Sequence, residues 1–254
     1  MTRLFAPLLA LLLALTGCSL LPDQIDETKG WSAQKLYAAA KDALNSGNYE
    51  RAIDLYGKLE ARYPFGRYAQ QALLESAYAY YKYDEPDTAI ATLDRFIRTY
   101  PRHPNLAYAF YLKGLANFNR GESFIDRYLP RDPSERDAGA ARQSFFDFQE
   151  LVRRFPDSPY ARDARQRMIF LRNNLARYEI HAADYYMRRG AYVAAANRAR
   201  YVIQKYPGTP AVPDALQMLV RAYRALGLDD LAADAERVYR LNYPDRPLPS
   251  PDHG

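Results

Sequence analysis

The stretch YERAIDLYGKLEARYP, residues 49–64, decides the fold. Counting back from Pro64, it carries an aromatic directly before (Tyr63), an apolar residue five before (Leu59) and a small residue twelve before (Ala52). The aromatic–proline pair returns as Tyr100-Pro101, Phe155-Pro156, Tyr206-Pro207 and Tyr243-Pro244, with proline spacings of 37, 55, 51 and 37 residues. Five before these prolines stand Phe96, Leu151, Val202 and Tyr239; twelve before stand Ala89, Ser144, Ala195 and Ala232. Twenty-four before come Ala40, Ala77, Ala183 and Val220, and Gly114 joins the column once 18 extra residues of the third unit are set aside. Self-similarity at such a period marks a repeat array.

Each element of the pattern has a physical role. Proline cannot donate to a continuing helix and keeps its predecessor out of the α region, so each run is a helix that stops at the aromatic. Small residues in the middle of paired helices let the axes approach toward the short end of the usual ~8–10 Å. Gly47, Gly190 and Gly227 fall between the two helices of their units, where glycine closes a helix at positive φ. One amphipathic hairpin cannot bury its apolar face alone and must stack on neighbours. The pattern therefore predicts an all-α, tetratricopeptide-type solenoid of five helix-hairpin repeats.

The expected pairs are helices 33–46 with 49–62, 67–83 with 86–100, 105–120 with 135–155, 161–189 with 192–206, and 212–226 with 229–243. The 14 extra residues of the fourth interval lengthen its first helix, because 161–178 holds neither proline nor glycine. The 18 extra of the third fall in 121–137, with Pro130 and Pro133, and form a loop. That loop carries Phe124, Ile125, Tyr128 and Leu129, too apolar for an idle linker; it either packs on the solenoid or meets a partner. The organisation is then a signal segment (1–17), a modified cysteine with its tether (18–30), repeats 1–2 (31–104), repeat 3 with its loop (105–160), repeats 4–5 (161–244) and a proline-rich disordered tail (245–254).

The N-terminus reads as a targeting signal. Arg3 precedes an apolar run from Leu4 to Leu15, shorter than the about 20 residues a membrane-spanning helix needs. It ends in Leu15-Thr16-Gly17-Cys18, small residues followed by the chain's one cysteine. This resembles the site at which lipoprotein precursors are cut and lipidated, so Cys18 is the expected lipid attachment point. Two or more acyl chains make a firm anchor, at ~0.8 kcal/mol per buried methylene. Ser19 follows the cysteine, as in the outer-membrane sorting class. No cysteine is left for a disulfide, so the fold rests on its core.

The net charge of +5 is unevenly placed. Residues 31–100 hold nine basic and nine acidic side chains, whereas 161–243 hold fourteen against eight. A basic patch often implies nucleic acid, but a periplasmic chain does not meet chromosomal DNA; an acidic protein surface or anionic lipid is the expected counterpart, with most of these charges forming a solvated face. Nothing in the sequence points to catalysis. His103, His181 and His253 are far apart, and there is no second cysteine, His-x-x-x-His or glycine-rich phosphate loop, so neither a metal nor a nucleotide cofactor has a motif to rest on. The acidic pairs Asp84-Glu85 and Asp229-Asp230 fall at turns or helix starts, where carboxylates favour the helix dipole.

Several segments go beyond the generic repeat. They are Arg-Tyr-Pro-Phe-Gly-Arg-Tyr-Ala-Gln-Gln at 62–71, Ala79-Tyr80-Tyr81-Lys82, Asp94-Arg95-Phe96-Ile97-Arg98, His103-Pro104-Asn105, Phe155-Pro156-Asp157-Ser158, and the run from Arg189 to Arg198. With the lipobox before them, they resemble the BamD family, the tetratricopeptide-repeat lipoproteins of the outer-membrane β-barrel assembly machinery. Tyr49 stands where many relatives have tryptophan. The resemblance implies a lipid-anchored, non-catalytic scaffold on the periplasmic face of the outer membrane. Its implied partners are the periplasmic domains of the insertase BamA, other lipoproteins of the complex and unfolded outer-membrane proteins. It also implies that the N-terminal repeats receive substrate and the C-terminal ones meet BamA. Candidates for an aromatic surface that takes substrate peptides are Phe65, Tyr68, Tyr63 and Tyr81, although Tyr63 also terminates a helix. Arg198, with Asn197 beside it, is the candidate for a salt bridge to BamA; a solvated arginine, or one paired within the solenoid, for instance with Asp184, is the competing reading. The fold leaves a second function open: another periplasmic repeat lipoprotein, serving pilus secretion or cell-wall coordination.

Overall fold

Each aromatic before a proline leaves the helix by its own backbone. In the computed structural model, which describes residues 26–120 and 138–247, Tyr63, Tyr100, Tyr206 and Tyr243 sit at φ −124° to −136° and ψ 47° to 67°. Each still donates its N–H to the carbonyl four residues back, as Tyr63 does to Leu59 (2.8 Å) and Phe155 to Leu151 (2.8 Å). The apolar residue five before the proline thus accepts the last bond of the helix and anchors it in the core.

The hairpins so ended are α1 (Ala33–Asn45) with α2 (Tyr49–Arg62), α3 (Arg67–Lys82) with α4 (Pro86–Thr99), α5 (Leu106–Asn119) with α6 (Ala138–Arg154), α7 (Ala161–Arg188) with α8 (Tyr192–Lys205), and α9 (Val212–Ala225) with α10 (Asp229–Asn242). No strand occurs among the described residues. Expected C-terminal ends that included the capping residue come out one residue short; at Tyr100, Tyr206 and Tyr243 that residue has already left the α region. Readings that concern Cys18 and the rest of 1–25, the loop 121–137 and residues 248–254 lie outside the described residues.

The repeat columns are the core. Ala40, Ala77, Ala183, Ala52, Ala89 and Ala195, together with Leu59, Phe96, Leu151, Val202 and Tyr239, are 0% exposed. Where the columns meet in hairpin 3, the Ser144 hydroxyl donates to the Gly114 carbonyl (2.9 Å), and a Cβ on Gly114 would stand 2.5 Å from the Phe148 ring. Burying one such phenylalanine contributes about 1.5–3 kcal/mol. The glycine column has one exception: Asp84, 37 residues after Gly47, takes φ 64°. Glu85 then donates its N–H to Tyr80 (2.9 Å), as Asn48 does to Ala43 (2.9 Å). Asp84 therefore closes α3 in a left-handed conformation, and its carboxylate does not cap the next helix.

First helices of hairpins 1 and 2, of 2 and 3 and of 4 and 5 touch one another, so the first helices line the inside of the superhelical curve. α7 runs for 28 residues, against 13 to 17 for the other nine described helices. Its Ala164 and Leu171 pack with Phe110, Phe148 and Leu151 of hairpin 3, while Ala176 and Ala183 join the core of hairpins 4 and 5. One long helix thus closes one core and opens the next. Within the segment read as tether, Asp26 pairs with Arg62, whose Nη1 also donates to the Thr28 carbonyl (2.6 Å), and Thr28 is 1% exposed.

Candidate protein-binding surfaces

The inner face of hairpins 1 and 2 is built on tyrosine. Tyr68 and Glu75, seven residues apart on α3, share one helix face. Glu75 accepts the Tyr37 hydroxyl (2.9 Å) and the Lys41 ammonium (2.8 Å) on Oε1, and the Tyr56 hydroxyl on Oε2. The Tyr37 ring meets Tyr68 at 5.4 Å and Tyr56 at 6.2 Å between centroids, and the Arg67 guanidinium lies 4.8 Å over the Tyr68 ring. Burial first, then the bond to a carboxylate, raises the Tyr37 and Tyr56 hydroxyls above the ordinary tyrosine range.

Aromatics continue into hairpin 3. Tyr111 stacks on Tyr160 with centroids 4.9 Å apart and donates to Asp163 (2.8 Å), while Tyr108 meets Tyr160 at 5.6 Å. A surface of this kind offers large, stiff faces with polar tips.

The four peptide-binding candidates do not form one cluster. Tyr68 is half-buried in the tyrosine group just described. Tyr81, about 20 Å farther along α3, lies by Tyr78 (6.4 Å) and accepts the Asn119 amide (2.7 Å). The Tyr63 hydroxyl donates to the Trp31 carbonyl (2.8 Å), so Tyr63 ties the start of hairpin 1 to the turn after α2. Phe65 projects into solvent at 89% exposure, held out by a turn whose Gly66 sits at φ 95°. Tyr37, Tyr56, Lys41 and Glu75 were not singled out by sequence reasoning. The one local signal was Tyr37 and Lys41 at i, i+4; their meeting with Glu75 depends on stacking of hairpins 1 and 2.

On the C-terminal side, Arg198 is half-buried on α8, and its Nη1 donates to Glu179 Oε2 of α7 (2.8 Å). The carboxylate side chain is only 4% exposed and the arginine side chain 44%. The partner within the solenoid is Glu179 and not Asp184, which Arg188 of the same helix engages one turn on. Asn197 is exposed and accepts from Arg200. Sequence reasoning missed Glu179, because a carboxylate between Tyr178 and Ile180 carries no sign of the helix that covers it. Among the described residues no group of three His, Cys, Asp or Glu side chains is placed to hold a metal, and no helix is long and apolar enough to cross a membrane.

Comparison with known proteins places these surfaces in a wider set. The family model YfiO, described as outer membrane lipoprotein, matches residues 30–238. The outer membrane protein assembly factor BamD of Neisseria meningitidis serogroup A is 50% identical over 221 residues, covering 87% of this chain and 83% of that protein. BamD of Xylella fastidiosa is 42% identical, covering 96% of this chain and 83% of its own. BamD of Vibrio cholerae is 39% identical, covering 92% and 96%. A solved tetratricopeptide-repeat protein of Thermus thermophilus aligns over 84% of this chain and 93% of its own at 15% identity, with a TM-score of 0.37.

Proposed function

Because the chain belongs to the BamD family of outer membrane protein assembly factors, we propose that it is a non-catalytic scaffold of the β-barrel assembly complex, held to the periplasmic face of the outer membrane by lipid on Cys18. The observation that carries this reading is identity of 39–50% over 221 to 250 residues. It favours the assembly role over a periplasmic repeat lipoprotein serving pilus secretion or cell-wall coordination.

In this reading hairpins 1 and 2 (31–104) receive unfolded outer-membrane proteins on their aromatic inner face, and Phe65 is the most accessible contact. Its 89% exposure supports that role, because the whole ring is open to an incoming aromatic side chain. Hairpins 4 and 5 (161–244) meet the periplasmic domains of BamA, with Arg198 and Asn197 at the contact. The open part of the Arg198 fork supports this, because a planar guanidinium can bind a second carboxylate while keeping the first. Other lipoproteins of the complex dock elsewhere on the solenoid, and nucleic acid is not a partner.

The test is a crosslinked pull-down of the full-length, membrane-anchored chain from outer membranes. Recovery of the barrel insertase supports the proposal. Recovery of pilus-secretion or cell-wall proteins without it would overturn the reading. Mass spectrometry of the mature N-terminus checks the anchor, with a lipid-modified Cys18 as the expected first residue.

A further inference from the structure

The exposed stripe of α7 has the chemistry of a binding face, and nothing in the fold covers it among the described residues. The helix has three carboxylates, and each is already engaged: Asp163 with Arg167 (2.6 Å) and Tyr111, Glu179 with Arg198, and Asp184 with Arg188. Arg165 donates to the Pro156 carbonyl (3.0 Å) and Arg172 to that of Pro207. Arg162 and Arg177 are exposed and have neither a carboxylate nor a carbonyl partner among the described residues. Between them stand Ile169 at 63% exposure and Phe170 at 45%. The Phe170 ring meets Phe118 of α5 at 5.7 Å, so this apolar step faces the neighbouring first helix on the inside of the curve.

We propose that this stripe docks an acidic amphipathic helix of a partner protein. Arg162 and Arg177 are 15 residues apart, about 22 Å along the axis, with the apolar pair near the midpoint. The matching occupant carries two adjacent apolar residues flanked, about two turns away on each side, by Asp or Glu. Laying an apolar face into such a groove is a recurring mode of peptide recognition, and the flanking charges fix register. A bilayer is a poor occupant, because the concave side of a solenoid admits a cylinder about 10 Å wide but not a plane. The contact is separate from that assigned to Arg198, which lies on α8.

The test places a photocrosslinking amino acid at Asn173, beside Phe170 and Arg177 on the same face, in the full-length chain in intact cells. The crosslinked peptide is identified by mass spectrometry and then made synthetically as the binding probe. The expected result is a segment of another protein with the acid–apolar–acid spacing. Arg162→Glu with Arg177→Glu should lower crosslink yield at least fivefold and weaken peptide binding at least tenfold, whereas Arg162→Lys with Arg177→Lys should retain most of it. Circular dichroism confirms that the variants fold. Crosslinks only to lipid, only to residues 121–137 of the same chain, to a segment without the flanking carboxylates, or to nothing would overturn the proposal. So would charge reversal without effect in a folded variant.

Discussion

Glu75 and Glu179 are both carboxylates on first helices, one in each half of the solenoid, and they are held in opposite ways. Glu75 has three donors, two tyrosine hydroxyls and a lysine, gathered from α1 and α2. Glu179 is more deeply buried and has one ion-pair partner, an arginine whose own side chain is 44% exposed. Losing one of several neutral hydrogen bonds costs about 1 kcal/mol. Removing the one cation opposite a buried carboxylate costs about 3–5 kcal/mol, because the remaining charge cannot be resolvated. The N-terminal half is therefore redundantly fixed around its carboxylate, and the C-terminal half concentrates the same task in a residue that partners can reach.

The largest expected break in that contrast is Arg198→Leu. Partial exposure of the arginine reduces the expected loss to about 2–4 kcal/mol, visible as a lower urea midpoint with an unchanged slope. The double variant Arg198→Leu, Glu179→Gln should recover much of it. If the single variant is as stable as the parent, Glu179 does not depend on Arg198. Binding to the isolated periplasmic domains of BamA at two salt concentrations separates the second role: unchanged affinity and salt dependence in a folded variant would make the arginine purely internal.

Gly114→Ala probes the joint between the halves. An alanine in a helix gains about 1 kcal/mol over glycine, but here its Cβ would stand 2.5 Å from the ring of Phe148, which is 0% exposed and has nowhere to turn. Overpacking typically costs about 1–3 kcal/mol; a contact this short belongs at the upper end, so a net loss of up to about 2 kcal/mol is expected, with a lower melting temperature. A neutral or stabilising result would mean that hairpin 3 yields more readily than its packing shows.

Tyr56→Phe should cost about 1 kcal/mol, the small loss expected where two donors remain on Glu75. The alkaline limb sharpens this. Burial and the carboxylate hold the Tyr56 proton in the folded chain above the ordinary range, whereas in the unfolded chain it leaves near pH 10. This contribution is complete below about pH 10 and declines as pH rises toward the folded value, since the unfolded chain then binds fewer protons. Tyr56→Phe should make the decline shallower in a urea series from pH 9 to 11; an equally steep limb would place the effect elsewhere.

Legibility in the sequence divided along the same line as the energetics. The repeat could be read because each column imposes one requirement at one position: a small residue where axes cross, an apolar anchor, an aromatic pushed out of the helix by proline. The long α7 was legible for the same reason, as a run without a breaker. The sites were not. Glu75 meets Tyr37 and Tyr56 through stacking of successive hairpins, and Glu179 meets Arg198 across a hairpin, so neither pair has a spacing to count. The Asp184 assignment failed because a helical neighbour four residues on, Arg188, competes locally for the same carboxylate. Asp84 shows the converse: it breaks the glycine column in sequence yet keeps its left-handed backbone.

Phe65 gives the smallest stability effect and the clearest reading of function. It is 89% exposed in the turn before α3, while Tyr63 two residues earlier is tied to Trp31 (2.8 Å). Truncating a side chain with so little burial should change stability by no more than about 0.5 kcal/mol, so a melting curve superimposable on the parent is expected for Phe65→Ala. Tyr63→Phe, by contrast, loses a hydrogen bond and should cost about 0.5–1.5 kcal/mol. If the turn receives aromatic-ended segments of unfolded barrel proteins, Phe65→Ala should weaken binding of a barrel C-terminal peptide about threefold to tenfold, the worth of one aromatic pair at about 0.5–1.5 kcal/mol. Tyr63→Phe should leave that binding nearly unchanged, because its ring and its place in the turn survive. Fluorescence titration of both variants with one labelled peptide distinguishes the cases. Equal binding by Phe65→Ala and the parent would move substrate reception away from this turn, toward the tyrosines gathered around Glu75.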